Sequence, residues 1–455
     1  MPGFSPSVLS AILYSRKEFE MTANRVGIDF SQNWFDLVIA GVDGQLISPV
    51  KRFDHNRLGA EQAQAFLRSI CSAAPAEQIW IGGEATGLLW WPLYQAWAHD
   101  PALAALHAQF FLLNPAPVKA FRKSTSQKDK TDRRDARLIV RYLGVPDQEL
   151  APWYADQEIW PLRFLTRYRF RLAHLLGSLK LQAQQVIWIN HSAYLQTKPF
   201  HDPLSKVSLE LLRRHPNLEE LADWSLEQLE AEIEACCPRG HLPNLAENAR
   251  QLQQAARCSY PLDAANRAAI QFLLEQSAQL LESLEARLRK IDVYLAQQVE
   301  ADPEIANLQA IPGIGPVFAA GMAAELRPTQ RFLQAPLYDP LTGVYRERTL
   351  ADAQAAVGKY AGLWWPRHDS GQFQAEERHM PKACNPYLRY YLVEAADHVR
   401  GRVAEFGTYY QRKYAEVNQH QHRRALVLTA RKLLRLVFVL LHNHETYQPR
   451  RQAQS

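Results

Sequence analysis

Arg25-Val-Gly-Ile-Asp-Phe30 and Trp34-Phe-Asp-Leu-Val-Ile-Ala40 are two short apolar runs separated by a polar turn. Runs of this length, rich in Val, Ile, Phe and Trp, read as strands. Val42-Asp-Gly-Gln45 is a turn signal and Leu46-Ile-Ser48 reads as a third strand, so residues 25–48 are expected to form a meander. Working outward, a helix is expected over 60–74 and a fourth strand over Gln78–Ile81. A helix from about Gly87 then carries Trp90, Trp91 and Trp97, and a fifth strand covers Gln109–Leu113. A further helix holds Asp132 and Asp135 and runs to about Tyr142.

Three meandering strands followed by alternating helix and strand is the order of an α/β ribonuclease-H-like domain. Acidic residues stand at significant places in it. Asp29 ends the run Val26-Gly-Ile-Asp29, and Glu84 ends Ile79-Trp-Ile-Gly-Gly-Glu84, just past the fourth strand. In a ribonuclease-H-like sheet these strands are neighbours and their carboxylates converge. Asp132 and Asp135, within Lys130-Thr-Asp-Arg-Arg-Asp-Ala136, share one helix face at i, i+3. Hard oxygen ligands of this kind suit Mg²⁺ or Mn²⁺. Two such ions activate an attacking oxygen and stabilise a leaving one at a phosphodiester. Any one surface carboxylate means little, and Asp129 is a further acidic neighbour. The joint match to strand ends and helix spacing favours a metal-dependent enzyme acting on nucleic acid. Around the proposed ligands run Arg122, Lys123, Lys128, Lys130, Arg133, Arg134 and Arg137. Such a run suits approaching phosphates, the plainer alternative being a solvated helix face.

The bulk numbers permit this without demanding it. The chain has 455 residues, 47% hydrophobic and 22% charged, with a net charge of +5. That is enough for two or three cored domains, and too little net charge to require a nucleic-acid partner. Cys71, Cys236, Cys237, Cys258 and Cys384 are scattered and lack zinc-finger or disulfide-framework spacing. The first twenty residues lack a signal-peptide apolar core. Leu433–Leu441 is interrupted by Arg435 and too short to cross a bilayer. The expectation is a cytoplasmic, nucleoid-associated protein with no membrane partner. Met21 lies just before the first strand, so 1–23 reads as a leader.

After the 24–155 domain, residues 156–305 are almost all helical in pattern. Leu274, Leu281, Leu288 and Leu295 form one heptad position, and Ile270, Ser277, Leu284 and Ile291 the other. This is a coiled-coil or long-hairpin signature, with packing inside the chain and self-association as open alternatives. A third unit, mostly α, covers 306–445, with 446–455 as a tail. It opens with Ile311-Pro-Gly-Ile-Gly-Pro316, which looks like a helix-hairpin-helix turn. Gly313 and Gly315 there would offer backbone N–H groups to DNA phosphates, unless they mark only tight packing. Residues 328–350 read as an inserted loop, and Arg423–Leu441 as a basic amphipathic helix. Tyr360-Ala-Gly-Leu363, the loop Ser370-Gly371, Lys382, Asn385 and Arg389 lie between them. A loop serine is more often a turn residue than a nucleophile. His420, His422, His442 and His444 form two His-x-His pairs, short of a zinc site and read as surface or phosphate-facing.

The chain resembles the transposases, or bridge-RNA-guided recombinases, of the insertion-sequence one-hundred-and-ten family, over about residues 24–445. Gly27-Ile-Asp29, Gly83-Glu84-Ala-Thr-Gly87 and Lys130-Thr-Asp-Arg-Arg-Asp-Ala136 match the three motifs of its RuvC-like DEDD domain. Ile311–Pro316, Tyr360–Leu363, Ser370-Gly371, Asn385 with Tyr387-Leu388-Arg389, and Ala430-Arg-Lys-Leu-Leu434 match its second transposase domain. The resemblance implies that Asp29, Glu84, Asp132 and Asp135 bind Mg²⁺ and that Ser370 is a nucleophile linking covalently to DNA. It implies element ends and target DNA as partners, for which Lys128, Lys130, Arg133 and Arg134 of the basic run, with Lys382 and Arg389, are the candidate contacts. It also implies a structured non-coding guide RNA, and a homo-oligomer, dimer or tetramer, with a site composed between subunits. The chain departs from the family at Gln372 and Cys384, where glycines are common, and in the longer 328–350 stretch. The competing readings are a Holliday-junction-resolvase-type nuclease using the same carboxylates without the serine, an actin-like ATPase, and a nucleic-acid-binding protein without activity. An actin-like ATPase needs a second glycine-rich phosphate loop, which the sequence lacks, and the intact acidic quartet argues against the last.

Overall fold

The computed structural model describes residues 23–125, 132–145, 150, 152–153, 155, 159–237, 242–334, 337–339, 342, 344–366, 369–370, 373–374 and 380–449, without the side chains of 132–134, 338, 344–345, 369–370 and 373–374. The chain divides into two units, one of residues 1–161 with 302–455 and one of 162–301.

The N-terminal part is a mixed sheet with helices on both faces. Its strands are β1 (Ala23–Phe30), β2 (Trp34–Ala40), β3 (Lys51–Asp54), β4 (Gln78–Glu84), β5 (Ala108–Leu113) and β6 (Pro152–Trp153). Their order is β3-β2-β1-β4-β5-β6; β1, β4 and β5 are mutually parallel, and the remaining pairings are antiparallel. The expected third strand at Leu46 is corrected. Leu46 makes only an isolated bridge to Ala40, and the strand proper begins at Lys51. Ile47 and Ser48 still bond to Ile39, but Pro49 has no N–H with which to continue a ladder.

The longer helices of this part are α1 (Arg57–Ala73), α2 (Trp91–Ala98), α3 (Pro115–Ser124) and α4 (Asp132–Leu143). The helix expected from Gly87 starts at Trp91, where Pro92 fits the first turn. Helix α3 was not anticipated; the Asn114 side chain caps it by accepting from Ala116 N–H at 3.0 Å, with Pro115 at its start. Side chains alternate along each strand. On one face, Phe30 and Phe35 pack edge-on against Tyr94 and Trp97 of α2. On the other, Val38 and Ala40 pack against Ala136 and Val140 of α4.

Two glycines bring α4 onto the sheet. A Cβ on Gly27 would lie 2.3 Å from the Ala136 carbonyl oxygen and 2.8 Å from the Val140 nitrogen. A Cβ on Gly82, the partner of Gly27 in the β1–β4 register, would lie 2.7 Å from Leu143 Cδ1. The helix backbone therefore rests directly on a flat patch of sheet. Gly144, just past α4, lies against Arg25, while Gly27 lies against Ala136 and Val140. Helix α4 therefore runs antiparallel to β1, with its Asp132 end toward the Asp29 end of the strand.

Residues 162–301 form the second unit. Its long helices are α5 (Ile159–Asn190), which begins just before the unit, and α9 (Ala264–Glu300). Leu172, Leu179 and Ala183 of α5 pack on Leu281, Leu284 and Leu288 of α9. Arg169–Asp292 and Lys180–Glu285 pairs flank this seam. The heptad seam is thus covered by the chain itself over those positions, and Leu274 joins a second core with α6 (Lys206–Arg214), α7 (Leu226–Ala235) and α8 (Leu245–Cys258).

The C-terminal part is helical: α10 (Pro316–Leu326), α11 (Leu350–Tyr360), α12 (Pro386–Arg400), α13 (Ala404–Ala415) and α14 (Gln421–Asn443). Helix α10 is buried along its length from Ala319 to Leu326, and Gly321 is covered by the Tyr391 ring of α12. The segment expected as an inserted loop contains a small hairpin, β7 (Leu337–Asp339) with β8 (Val344–Arg346). A second hairpin pairs β9 (Asp369–Ser370) with β10 (Phe373–Gln374), so Ser370 ends a strand. None of the five cysteines is in a disulfide. Among the described residues, no helix is long and apolar enough to cross a membrane.

Candidate functional site

Asp29 and Glu84 lie two residues beyond Gly27 and Gly82, on the sheet face that carries α4. Continuing the β1–β4 register by one rung sets them opposite each other. Both are half-buried, and Asp135 of α4 is 9% exposed. Arg122 of α3 pairs with Asp135 at 3.1 Å, so a guanidinium already compensates this carboxylate. Among the described residues, no group of three or more His, Cys, Asp or Glu closes into a metal-sized cluster. Asp132 is the first residue of α4, and its side chain, like those of Arg133 and Arg134, lies outside the described residues. Lys128 and Lys130 lie outside them altogether.

The same face carries a carboxylate that the sequence reading missed. Asp36 of β2 is opposite Asp29 in the antiparallel register and only 1% exposed. Arg52 of β3, opposite Asp36, holds it through two hydrogen bonds of 2.9 and 2.8 Å and stacks over Trp34 at 4.6 Å. The available signal was one charged residue in phase with Val38 and Ala40 in an otherwise apolar run.

In the C-terminal part the motif residues build a buried polar frame. Asn385 caps α12, its side-chain oxygen accepting from Leu388 N–H at 3.0 Å. Its amide donates to Glu325 Oε2 at 2.7 Å and to the Tyr360 hydroxyl at 2.6 Å. Glu325 on α10 is fully buried, a second residue that sequence reasoning passed over. Arg389 donates to the carbonyls of Ala361, Gly362 and Pro381, which ties both sides of the 363–380 segment together. Gly362 has φ +66°, and a Cβ there would meet the Arg389 guanidinium at 2.0 Å. Arg389 therefore organises backbone here, where phosphate contact was expected. Ser370 lies in the segment this frame supports, and its side chain is outside the described residues. Lys382 is exposed.

Residues 26–188 match the family model described as Transposase, DEDD_Tnp_IS110, and residues 341–411 match that of the Transposase IS116/IS110/IS902 family. The chain belongs to the IS110 transposase family. No curated protein matches it. A transposase is a DNA-processing enzyme, and the matched segments contain Asp29, Glu84, Asp132 and Asp135 in one case and Ser370, Asn385 and Arg389 in the other.

For this transposase the glycine turn at 311–316 acquires a packing role. Gly313 has φ +103°, and a Cβ would meet the backbone of His398 and Val399 on α12 at 3.0 Å. Gly315 opens α10 with no atom within 4 Å of its would-be Cβ. The element before the turn is a four-residue helix followed by a 3₁₀ turn, Pro303–Ala310. The His-x-His pairs are divided among separate tasks. His422 meets the Tyr410 hydroxyl at 2.8 Å, His442 meets Thr329 at 3.4 Å, and His444 meets Glu304 at 2.7 Å.

Proposed function

We propose that this transposase cuts and rejoins DNA strands to move an insertion sequence, using Asp29, Glu84, Asp132 and Asp135 as a divalent-cation site and Ser370 as nucleophile. The observation that carries the reading is the laying of α4 on Gly27 and Gly82, which directs its Asp132 end toward neighbouring Asp29 and Glu84. The strand order, three antiparallel strands followed by parallel β4 and β5, supports a ribonuclease-H-like, RuvC-type domain. The donors are all carboxylate oxygens, the chemistry Mg²⁺ and Mn²⁺ favour. Asp135 would leave Arg122 to join them, freeing the guanidinium for a phosphate oxygen. Bound Mg²⁺ supplies Lewis-acid polarisation of the scissile phosphate and lowers the cost of removing the serine proton.

The chain's own residues do the rest. The Ser370 oxygen attacks phosphorus, forming a Ser–O–P bond as the bond to the leaving sugar oxygen breaks. The serine hydroxyl gives up its proton and the leaving oxygen takes one up. Attack on that phosphoserine by another strand's sugar hydroxyl reverses the bookkeeping and rejoins DNA. Lys128, Lys130, Arg133, Arg134 and Lys382 contact phosphates. The family resemblance supports a structured non-coding guide RNA and a dimeric or tetrameric assembly joining the two half-sites between subunits.

Purified protein with its element's RNA, donor and target DNA and Mg²⁺ should recombine the DNA. Asp29→Ala, Asp132→Ala and Ser370→Ala should each abolish product. A covalent protein–DNA adduct should be trapped on nicked substrate with wild type and be absent with Ser370→Ala. Normal recombination by Ser370→Ala would remove the serine from the mechanism and leave the carboxylate role standing, whereas wild-type cleavage with neither adduct nor rejoined strands would favour a resolvase-type nuclease.

A further inference from the structure

The row Glu84, Asp29, Asp36 and Arg52 crosses four adjacent strands on one face of the sheet. We propose that the Asp36–Arg52 pair is a charge-setting device beside the carboxylate site, with Asp36 a positioning residue that tunes divalent-cation affinity without joining the ligands. This rests on the metal-dependent reading above.

Three observations carry it. Asp36 is 1% exposed, so water screens its charge little. It is the rung partner of Asp29, and directly opposed residues in an antiparallel pair have Cα atoms roughly 4.5–5.5 Å apart. Its carboxylate is held by both Nε and Nη2 along the side of the Arg52 guanidinium, which fixes where the charge lies. A buried carboxylate at this spacing would repel Asp29 and Glu84 if it stood alone, and a lone guanidinium there would repel an arriving cation. Paired, they contribute little net charge and leave the field to the ligands. Were the pair only a structural staple between β2 and β3, an apolar residue would serve at 36, as Val38 and Ala40 do on the same face of β2. The pair instead falls on the one rung in line with Asp29.

The test is Mn²⁺ binding to the full-length protein without nucleic acid, followed by electron paramagnetic resonance. Asp36→Asn leaves the Arg52 charge uncompensated and should weaken binding. Arg52→Gln leaves the Asp36 charge uncompensated and should tighten it. A unit charge about 7 Å from a divalent ion changes affinity by roughly tenfold at the dielectric of bulk water, and by more where burial weakens the screening. The double variant should return to within about twofold of wild type, since the pair's charges nearly cancel at the ion. Arg52→Lys keeps the charge and should leave affinity unchanged, which preserves the test should Arg52→Gln fail to fold. Unchanged affinity in Asp36→Asn and in whichever Arg52→Gln sample folds, with Mn²⁺ binding lost in Asp29→Asn, would overturn the inference and leave the metal reading intact. Wild type that binds no Mn²⁺, or binds it equally well as Asp29→Asn, would overturn both together.

Discussion

Replacing Gly27 by alanine tests how the carboxylate-bearing helix is held. The new methyl would lie 2.3 Å from the Ala136 carbonyl oxygen, 2.7 Å from Val140 Cγ2 and 2.8 Å from the Val140 nitrogen. Two of these are backbone atoms of α4, so no rotamer change relieves them. Restoring ordinary contact needs the helix lifted by roughly 1 Å, at which the lining atoms lose a quarter to a half of their dispersion attraction. Overpacking of this kind costs about 1–3 kcal/mol, and the rigid neighbours argue for the upper end. Alanine's lower unfolded-state entropy returns about 0.5–1 kcal/mol, leaving a net loss of about 2 kcal/mol. For Gly82→Ala the three nearest atoms all belong to the Leu143 side chain, which can turn aside, so it should cost less. Because α4 starts at Asp132 and carries Asp135, the same 1 Å shift should lower recombination about a hundredfold. Urea unfolding by circular dichroism would give the stabilities, and a recombination assay the activity. If Gly27→Ala proves as stable and as active as Gly82→Ala, the glycine platform does not set the position of α4.

Other consequences are open to similar measurement. Asn385→Ala removes a helix cap and the donor to buried Glu325, and should lower stability by about 3 kcal/mol in thermal or denaturant unfolding. His191 is buried, and burial first, with Arg267 second, pushes its pKa down to about 3. It stays neutral when folded while the unfolded chain takes up a proton below about pH 6.5, so the stability it protects is full above that value. Stability should fall as pH drops from about 6.5 toward 3, by up to about 1.4 kcal/mol per unit, and urea titrations of His191→Gln should show a flatter profile. Leu281→Ala opens a cavity where α5 meets α9 and should cost about 3 kcal/mol of stability, read by the same unfolding curves.

Ser370 marks where sequence reading could go further than geometry. Tyr360, Asn385 and Arg389, which flank it in the sequence, have partners in the fold that give them work other than touching DNA. Asn385 bonds Glu325 sixty residues earlier, and Arg389 reaches carbonyls on both sides of the segment it braces. A motif displays such residues as a set, but a buried bond between distant positions leaves no local spacing to read.

The sequence by itself determined the alternation of strands and helices, the strand-end positions of Asp29 and Glu84, and the shared face of Asp132 and Asp135. Those follow from periods of two and of about 3.6 residues, which are local properties of a backbone. Tertiary structure alone decided that Pro49 defers the third strand and that Asp135 rests on Arg122. It alone decided that buried Asp36, paired with the exposed Arg52, lies in line with the proposed ligands. Each depends on which strand lies beside which and on the side chains this brings together, contacts that no local period encodes.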